Sequence, residues 1–228
     1  MSEPRPILYS FRRCPYAMRA RMALVIAGIC CELREVRLSD KPEAMIAASP
    51  KATVPVLVLP DASNDETVLE ESLAVIRWAL GRDDPEGWLQ AGPEDAVNAL
   101  IAACDGPFKH HLDRYKYYTR YDNADPMIHR TEGQAFLERL ETQLASHGLE
   151  AGQSQLFGVA RSLADIAIFP FVRQFANHDR GWFDTLPLPH LHAWLAGHLA
   201  SDLFATAMQK EQPWQPGDTT ITFPRMAA

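Results

Sequence analysis

Residues 6–28, PILYSFRRCPYAMRARMALVIAG, combine a short apolar run, a turn that contains a cysteine, and a helical pattern. The apolar run at 6–10 predicts a β-strand, because strands favour short apolar stretches bounded by turn residues. From Pro15 onward apolar residues recur at helical spacing, and Gly28 is a natural helix end. The stretch therefore predicts a strand–turn–helix unit with Cys14 at the start of the helix.

The chain up to residue 80 continues to alternate strands and helices. The predicted strands are 31–38, 55–60 and 67–69, the last two joined by a polar turn at 61–66, and the predicted helices are a short one opening at Asp40 and one over 72–80. The resulting order, β-α-β-α-β-β-α, predicts a small α/β sandwich.

A segment rich in Gly, Pro and Asp at 83–93 predicts a linker between two domains. We expect an α/β domain at 1–82 and an all-helical domain at 94–228 that ends in an extended tail. A long helix should follow the linker with a kink at Pro107, because proline lacks the N–H that an unbroken helix needs.

Composition and charge exclude several classes of protein. The chain has 228 residues, of which 22% are charged and 47% hydrophobic, as is ordinary for a globular protein. Its formal net charge of −7 argues against nonspecific nucleic-acid binding, which needs a basic face. No apolar run reaches the roughly 18 residues of a membrane span, and the first ten residues carry no signal-peptide pattern. We therefore expect a cytoplasmic protein that binds neither nucleic acid nor membranes.

Cys14 stands where a thiol should be reactive. It directly precedes Pro15 at a predicted helix N-terminus, where free N–H groups and the helix dipole stabilise a thiolate. Arg12 and Arg13 add positive charge beside it. We expect a lowered pKa for the Cys14 thiol and a functional role. The alternative is a small apolar residue at a strand–helix junction.

The remaining cysteines do not complete a dithiol motif. Ala17 occupies the position of the second cysteine in a C-x-x-C pair, so Cys14 cannot resolve its own mixed disulfide and would need an external thiol. Cys30, Cys31 and Cys104 match no disulfide framework and indicate a reducing compartment. We expect structural roles for these three.

Three motifs occur in order along the first domain: Cys14-Pro15-Tyr16-Ala17, Thr53-Val54-Pro55-Val56-Leu57 and Glu71-Ser72. A capping-box pattern, Ser162-x-x-Asp165, lies in the helical half. Together these motifs resemble the cytosolic glutathione S-transferase superfamily, above all its cysteine-type, omega-like and related bacterial members. The resemblance covers nearly the whole chain. It implies an α/β thioredoxin-like N-terminal domain followed by an all-α C-terminal helical bundle domain.

The resemblance also implies how glutathione would be held. Val54-Pro55 resembles the loop with a cis proline, which leaves the backbone of Val54 free to pair with the cysteinyl unit of glutathione. Glu71 and Ser72 suit the ammonium and carboxylate of its γ-glutamyl unit, and Lys41 suits the glycyl carboxylate. The implied glutathione-binding residues are Arg13, Tyr16, Lys41, Val54, Pro55, Glu71 and Ser72.

The implied activity is that of a glutathione transferase whose Cys14 forms a mixed disulfide with glutathione, the co-substrate. Thiol transfer, reductive deglutathionylation or dehydroascorbate-type reduction would act on a small electrophilic or disulfide substrate, without a metal, in a homodimer. Two alternatives stay open. One is a hydroxyl-type conjugating transferase that uses Tyr9 or Ser10, and the other is a non-catalytic interaction protein of the same fold.

The helix after the linker walls the acceptor site in this family. Here it is dense in aromatic residues and cations, and the candidate second-substrate residues are Phe108, Lys109, Leu112 and Tyr115. A core stripe with solvated charges on the other side is an equally open interpretation.

The neighbouring histidines His110 and His111 raise the question of a metal site. Adjacent helical positions point about 100° apart, and no Cys or Asp partner stands at ligand spacing. We therefore expect no metal site at this pair.

Overall fold

The computed structural model describes residues 5–60 and 67–225, so the polar turn expected at 61–66 lies outside the described residues. The chain forms two compact units. One contains the described residues up to Pro85 together with 201–225, and the other contains Glu86–Ala200. No helix within the described ranges is long and apolar enough to cross a lipid bilayer.

The first unit is built on a mixed β-sheet. Its strands are β1 (Ile7–Ser10), β2 (Cys31–Glu35), β3 (Val56–Leu59), β4 (Thr67–Leu69) and β5 (Ile221–Phe223). In the order β4-β3-β1-β2-β5, the pair β1 and β2 is parallel and the other neighbours are antiparallel. Parallel neighbours need a crossover connection, which is a helix here. The predicted order of strands and helices over the first 80 residues is thus confirmed.

The helices follow the predicted division into an α/β and a helical part. In chain order they are α1 (Pro15–Ile26), α2 (Glu43–Ala48), α3 (Ser72–Leu80), α4 (Glu94–Ala103), α5 (Lys109–Lys116), α6 (Pro126–Ala145), α7 (Leu163–Ala176), α8 (Arg180–Phe183), α9 (Pro189–Leu199) and α10 (Asp202–Ala207). The helices α4 to α9 form the second unit, and the others pack in the first. The fold is therefore the thioredoxin-like α/β domain with a helical domain that the motifs implied.

Helix α1 is buried in the first unit and carries the turn that holds Cys14 at its N-terminal end. It packs against α3 and α10. Even Arg19 and Arg21 are 0% exposed. The helix ends just before Gly28, whose φ of +62° is a conformation that glycine adopts without steric strain. Because α1 is buried and packs against two other helices, it holds the Cys14 turn in place.

The C-terminal tail differs from the prediction, which assigned 94–228 to the helical domain. Residues 201–225 group with the first unit, and β5 pairs with β2 from Cys31 opposite Phe223 to Leu33 opposite Ile221. Without this partner, β2 would be an edge strand with unpaired backbone groups. A partner from the opposite end of the chain leaves no local pattern in the sequence, which is why the sequence predicts only an extended tail.

The second unit contains both local features that the sequence predicted for it. A π-helical turn, Cys104–Phe108, contains Pro107 and joins α4 to α5. Helix α7 begins with the capping box, in which Ser162 N–H donates to the Asp165 carboxylate at 2.8 Å. The fully buried Asp165 also accepts from Trp194 Nε1 at 2.8 Å and so ties α7 to α9.

Candidate functional site

Cys14 occupies the N-cap position of α1, with Pro15 as the first helical residue. Its backbone is extended (φ −76°, ψ 123°), and its N–H donates to Phe11 O at 2.9 Å, which closes the turn between β1 and α1. The residue is half-buried and stands at the end of a helix. This is the arrangement that the sequence predicted for a reactive thiol.

The cis-proline loop lies directly against this thiol. The Val54–Pro55 peptide bond is cis, as the resemblance implied, and Cys14 Sγ lies 3.7 Å from Val54 O. Pro55 leads directly into β3, which pairs with β1, and β1 leads into the Cys14 turn. The pairing of β1 with β3 therefore brings two motifs together that are far apart in the sequence.

A buried ion pair between Glu35 and Arg21 stabilises the turn that carries Cys14. Arg12 N–H donates to Glu35 Oε1 at 2.7 Å, and Arg21 on α1 pairs with Glu35 Oε2 at 3.2 Å. Burial raises the pKa of the Glu35 carboxyl and lowers that of the Arg21 guanidinium, since desolvation disfavours both charges, while their mutual attraction opposes these shifts. The turn, β2 and α1 are thus joined through one carboxylate, which sequence reasoning did not single out.

Glu71 and Ser72 stand at the N-terminus of α3, as predicted. Glu71 is the extended N-cap residue and is exposed, whereas Ser72 is buried. The Glu71 carboxylate accepts from Lys51 Nζ at 2.8 Å, and this contact raises the pKa of Lys51. Sequence reasoning missed Lys51, because a single lysine in a loop carries no signal until the fold brings it to Glu71.

The other predicted glutathione-binding side chains lie on neighbouring parts of the first unit. Arg13 is exposed and places its guanidinium 5.2 Å from the centre of the Phe11 ring, and the Tyr16 ring is covered in the same way by Arg19. Lys41 is half-buried in the loop before α2. In the described residues no hydrogen bond or ion pair joins Lys41 to Cys14 or Val54, so its role stays a prediction.

The two hydroxyls of the alternative mechanism are engaged elsewhere. Tyr9 is 2% exposed, and its Oη accepts from Arg34 at 2.6 Å. Ser10 is fully buried, with Arg21 Nη1 3.5 Å from its Oγ. Both hydroxyls therefore face arginines inside the first unit, which disfavours them as activators of a glutathione thiolate.

A cavity of about 380 Å³ opens beside the Cys14 turn, between residues 11–13, the end of β2 and the tail at 210–213. Its lining includes the cations Arg12, Arg13, Arg37 and Lys210, together with Glu35 and Glu211. Trp214 N–H donates to Glu35 O at 2.8 Å and so fixes the tail along β2. The excess of cations suits a ligand that carries negative charge.

The predicted second-substrate residues lie inside the second unit. Phe108, Leu112 and Tyr115 are at most 4% exposed. Phe108 and Tyr115 both pack against the Phe175 ring, at 5.4 and 5.1 Å between ring centres. Lys109 is ion-paired with Asp113 one turn further along the helix. These contacts favour the alternative that the sequence left open, a core stripe with charges on its outer side.

The other cysteines differ from Cys14 in burial. Cys31 and Cys104 are 0% exposed, and Cys30 is half-buried. Burial raises the pKa of the Cys31 thiol to about 12, because a thiolate would be desolvated there. Cys31 is therefore a protonated core residue, in agreement with the structural role expected for it.

Known proteins share both the sequence signature and the fold. Residues 8–87 match the family "Glutathione S-transferase, N-terminal domain", and residues 88–197 match "Glutathione S-transferase, C-terminal domain". A probable glutathione transferase of Aplysia californica is 40% identical over 47 residues, which are 21% of this chain and 51% of that protein. The match thus spans about half the length of that curated relative.

Two solved bacterial structures resemble the chain over most of its length. One is a glutathione transferase family member from Pseudomonas fluorescens with two glutathione bound (17% identity, TM-score 0.74, covering 89% of this chain and 92% of that one). The other is a glutathione transferase from Pseudomonas putida with one glutathione disulfide bound per subunit (18% identity, TM-score 0.73, covering 90% and 91%). At these identities the likeness concerns the fold.

Proposed function

Because this chain belongs to the glutathione S-transferase family, we propose that it is a cysteine-type member that catalyses glutathione-dependent thiol transfer with Cys14 as the nucleophile. The observation that carries the proposal is the position of Cys14 Sγ, 3.7 Å from Val54 O beside the cis Pro55. An extended peptide can pair with exposed backbone groups as an added strand does. A glutathione cysteinyl unit that pairs with Val54 in this way would bring its sulfur to the Cys14 thiol.

The proposed reaction consists of two thiol–disulfide exchanges. The Cys14 thiolate attacks the glutathione sulfur of a mixed disulfide R–S–S–G, the S–S bond breaks, and R–S⁻ leaves and takes up a proton. A second glutathione thiolate then attacks the glutathione sulfur of the Cys14 mixed disulfide, which releases the Cys14 thiolate and forms oxidised glutathione. Ala17 stands where a resolving cysteine would be, so the second thiol has to come from solution.

We assign the γ-glutamyl unit of glutathione to the N-terminus of α3. The first N–H groups of a helix and the Ser72 hydroxyl suit its carboxylate. The Glu71 carboxylate suits its ammonium group, which would replace Lys51 Nζ as the partner. Arg13, Tyr16 and Lys41 are the further proposed contacts. The bound glutathione and glutathione disulfide of the two Pseudomonas proteins support this choice of co-substrate.

The cavity beside the Cys14 turn is the proposed place for the rest of the disulfide substrate. Its cations Arg13, Arg37 and Lys210 favour an anionic partner, such as an acidic glutathionylated thiol or a second glutathione. We propose this cavity instead of the predicted second-substrate residues Phe108, Leu112 and Tyr115, because those three side chains are buried.

The decisive experiment compares Cys14→Ser with Cys30→Ser in a thiol-transfer assay on a mixed disulfide of glutathione and a small thiol. Loss of the nucleophile should lower kcat by about a thousandfold or more, whereas the half-buried Cys30 serves as the matched control and should be dispensable. Incubation with oxidised glutathione should add one glutathione to the intact mass of the wild-type chain and none to Cys14→Ser. Full turnover by Cys14→Ser would exclude the proposed nucleophile.

A binding measurement separates this enzyme from a non-catalytic protein of the same fold. We expect retention on immobilised glutathione, weakened in Glu71→Gln because the amide no longer neutralises the ammonium group. Absence of any binding at millimolar glutathione would favour the interaction protein instead. The proposal also includes a homodimer, which sedimentation at micromolar concentration would contradict by showing only a monomer.

A further inference from the structure

Three histidines converge on the outer side of the second unit. His110 and His111 are consecutive residues of α5, and His129 lies in the first turn of α6. One ring nitrogen from each lies within 4.8 Å of the others, and the Nδ1 atoms of His111 and His129 are 2.9 Å apart. The packing of α5 against α6 supplies the third imidazole that the His110-His111 pair lacks in the sequence.

We propose that His110, His111 and His129 bind one divalent transition-metal ion of the zinc class, with water completing its coordination. Three imidazoles and an open position are a known ligand set for zinc. Tetrahedral zinc with Zn–N distances of about 2.05 Å places two ligand nitrogens about 3.4 Å apart. The His111 and His129 nitrogens therefore need to separate by only a fraction of an ångström, and His110 completes the set by rotation of its side chain.

The contact between the His111 and His129 rings shows that a nitrogen lone pair is present inside the cluster. A hydrogen bond between the two Nδ1 atoms requires that one imidazole accepts it with an unprotonated nitrogen. The other ring can carry its proton on Nε2 instead, which frees its Nδ1 lone pair as well. A metal ion bound to both nitrogens would replace the proton that joins them.

The surrounding charges have both signs. On α5, Arg114 Nη1 lies 3.0 Å from His110 Nδ1 and competes with a metal for that ring. The carboxylates of Glu132 on α6 and of Asp125 at its N-cap act in the opposite direction, because their negative charge near the cluster attracts a cation. His110 is exposed and the other two rings are half-buried, so an ion and its water can enter from solvent. A bound ion would tie α5 to α6.

The test is a titration of the reduced full-length chain with Zn²⁺ by calorimetry, without glutathione and with a phosphine reductant that does not chelate. We expect one Zn²⁺ per chain and an affinity that falls more than about tenfold in His111→Ala and in His129→Ala. The exposed His178→Ala is the matched control and should bind as the wild type does. Arg114→Gln should bind more tightly, since it removes the competing cation.

Further measurements test whether a change in Zn²⁺ affinity comes from loss of the fold or from metal binding by a cysteine thiol. Co²⁺ should give the visible bands of nitrogen coordination without the near-ultraviolet thiolate bands, and Zn²⁺ should raise the Tm of the wild type but not that of His129→Ala. Far-UV circular dichroism and thiol transfer should be unchanged in His129→Ala. Wild-type Zn²⁺ affinity in His129→Ala, or thiolate bands that vanish in Cys14→Ser, would overturn the proposal. Neither result would bear on the proposed thiol transfer.

Discussion

Glu35 is the residue whose removal should most clearly reveal how the Cys14 turn is held. Its carboxylate accepts from Arg12 N–H at 2.7 Å and pairs with Arg21 at 3.2 Å. In Glu35→Ala the guanidinium of Arg21, which is 0% exposed, keeps its charge but loses its counter-ion. Arg21 Nη2 still donates to Gln209 O at 3.0 Å, but a neutral acceptor does not replace the lost charge, and Arg21 Nε has no hydrogen-bond partner among the described residues.

The expected loss follows from the burial of this pair. Removing one partner of a buried ion pair typically costs about 3–5 kcal/mol, because the other charge stays desolvated and unpaired. For a chain of this length such a loss corresponds to a fall in Tm of roughly 10 °C. Urea unfolding, followed by circular dichroism and tryptophan fluorescence, would measure the free energy directly.

Two companion variants separate charge from geometry. Glu35→Gln keeps an oxygen that can accept from Arg12 N–H but removes the charge, so it should destabilise the fold and yet retain more thiol transfer than Glu35→Ala. The double variant Arg21→Met/Glu35→Leu removes both charges and should regain most of the lost stability, as apolar replacements of buried pairs do. If Glu35→Ala stays within about 1 kcal/mol of the wild type, or the double variant is no more stable than the single one, the reasoning is wrong.

Other substitutions and conditions test the packing, a buried histidine and the thiols. In Gly133→Ala the new Cβ would lie 2.5 Å from the buried Phe175 ring. Overpacking should therefore cost about 1–3 kcal/mol and outweigh the gain of up to about 1 kcal/mol in helix propensity. Urea unfolding would measure the resulting loss of stability. Burial lowers the pKa of His198 to about 4. The neutral imidazole therefore contributes its full stability above pH 6.5, and the free energy of unfolding should fall by about 3 kcal/mol as the pH is lowered towards 4. Tm measurements on His198→Gln should show a weaker dependence on pH. Iodoacetamide should alkylate Cys14 in the native chain and spare Cys31, whose thiol pKa is about 12, as peptide mapping would check.

Local features of this protein were predictable because neighbouring residues create them. Cys14 before Pro15 marks the start of α1, and Pro107 interrupts the helix after the linker. Ser162 and Asp165 form the capping box of α7. In each case the atoms that interact are at most a helical turn apart, so the sequence contains the complete interaction.

The predicted second-substrate residues show that a helical pattern alone does not distinguish a ligand-binding face from a buried face. An aromatic stripe on a helix fits a ligand wall and a core equally well, since both need apolar side chains on one face. Only the packing of Phe108 and Tyr115 against Phe175 distinguishes the two. Likewise, the burial of Arg21 follows from α3 and α10 packing on α1, which no periodicity within α1 encodes.

The sequence by itself determined the order of strands and helices, the family and the candidate nucleophile. The tertiary structure alone decided that Val54 O lies against the Cys14 thiol and that Glu35 binds the turn before it. It further decided that Lys51 pairs with Glu71 and that the tail strand β5 lies along β2. It also decided that His129 joins His110 and His111. The physical reason is the same throughout: these contacts join residues far apart in the chain, and only the assembled sheet and the packed helices bring them within bonding distance.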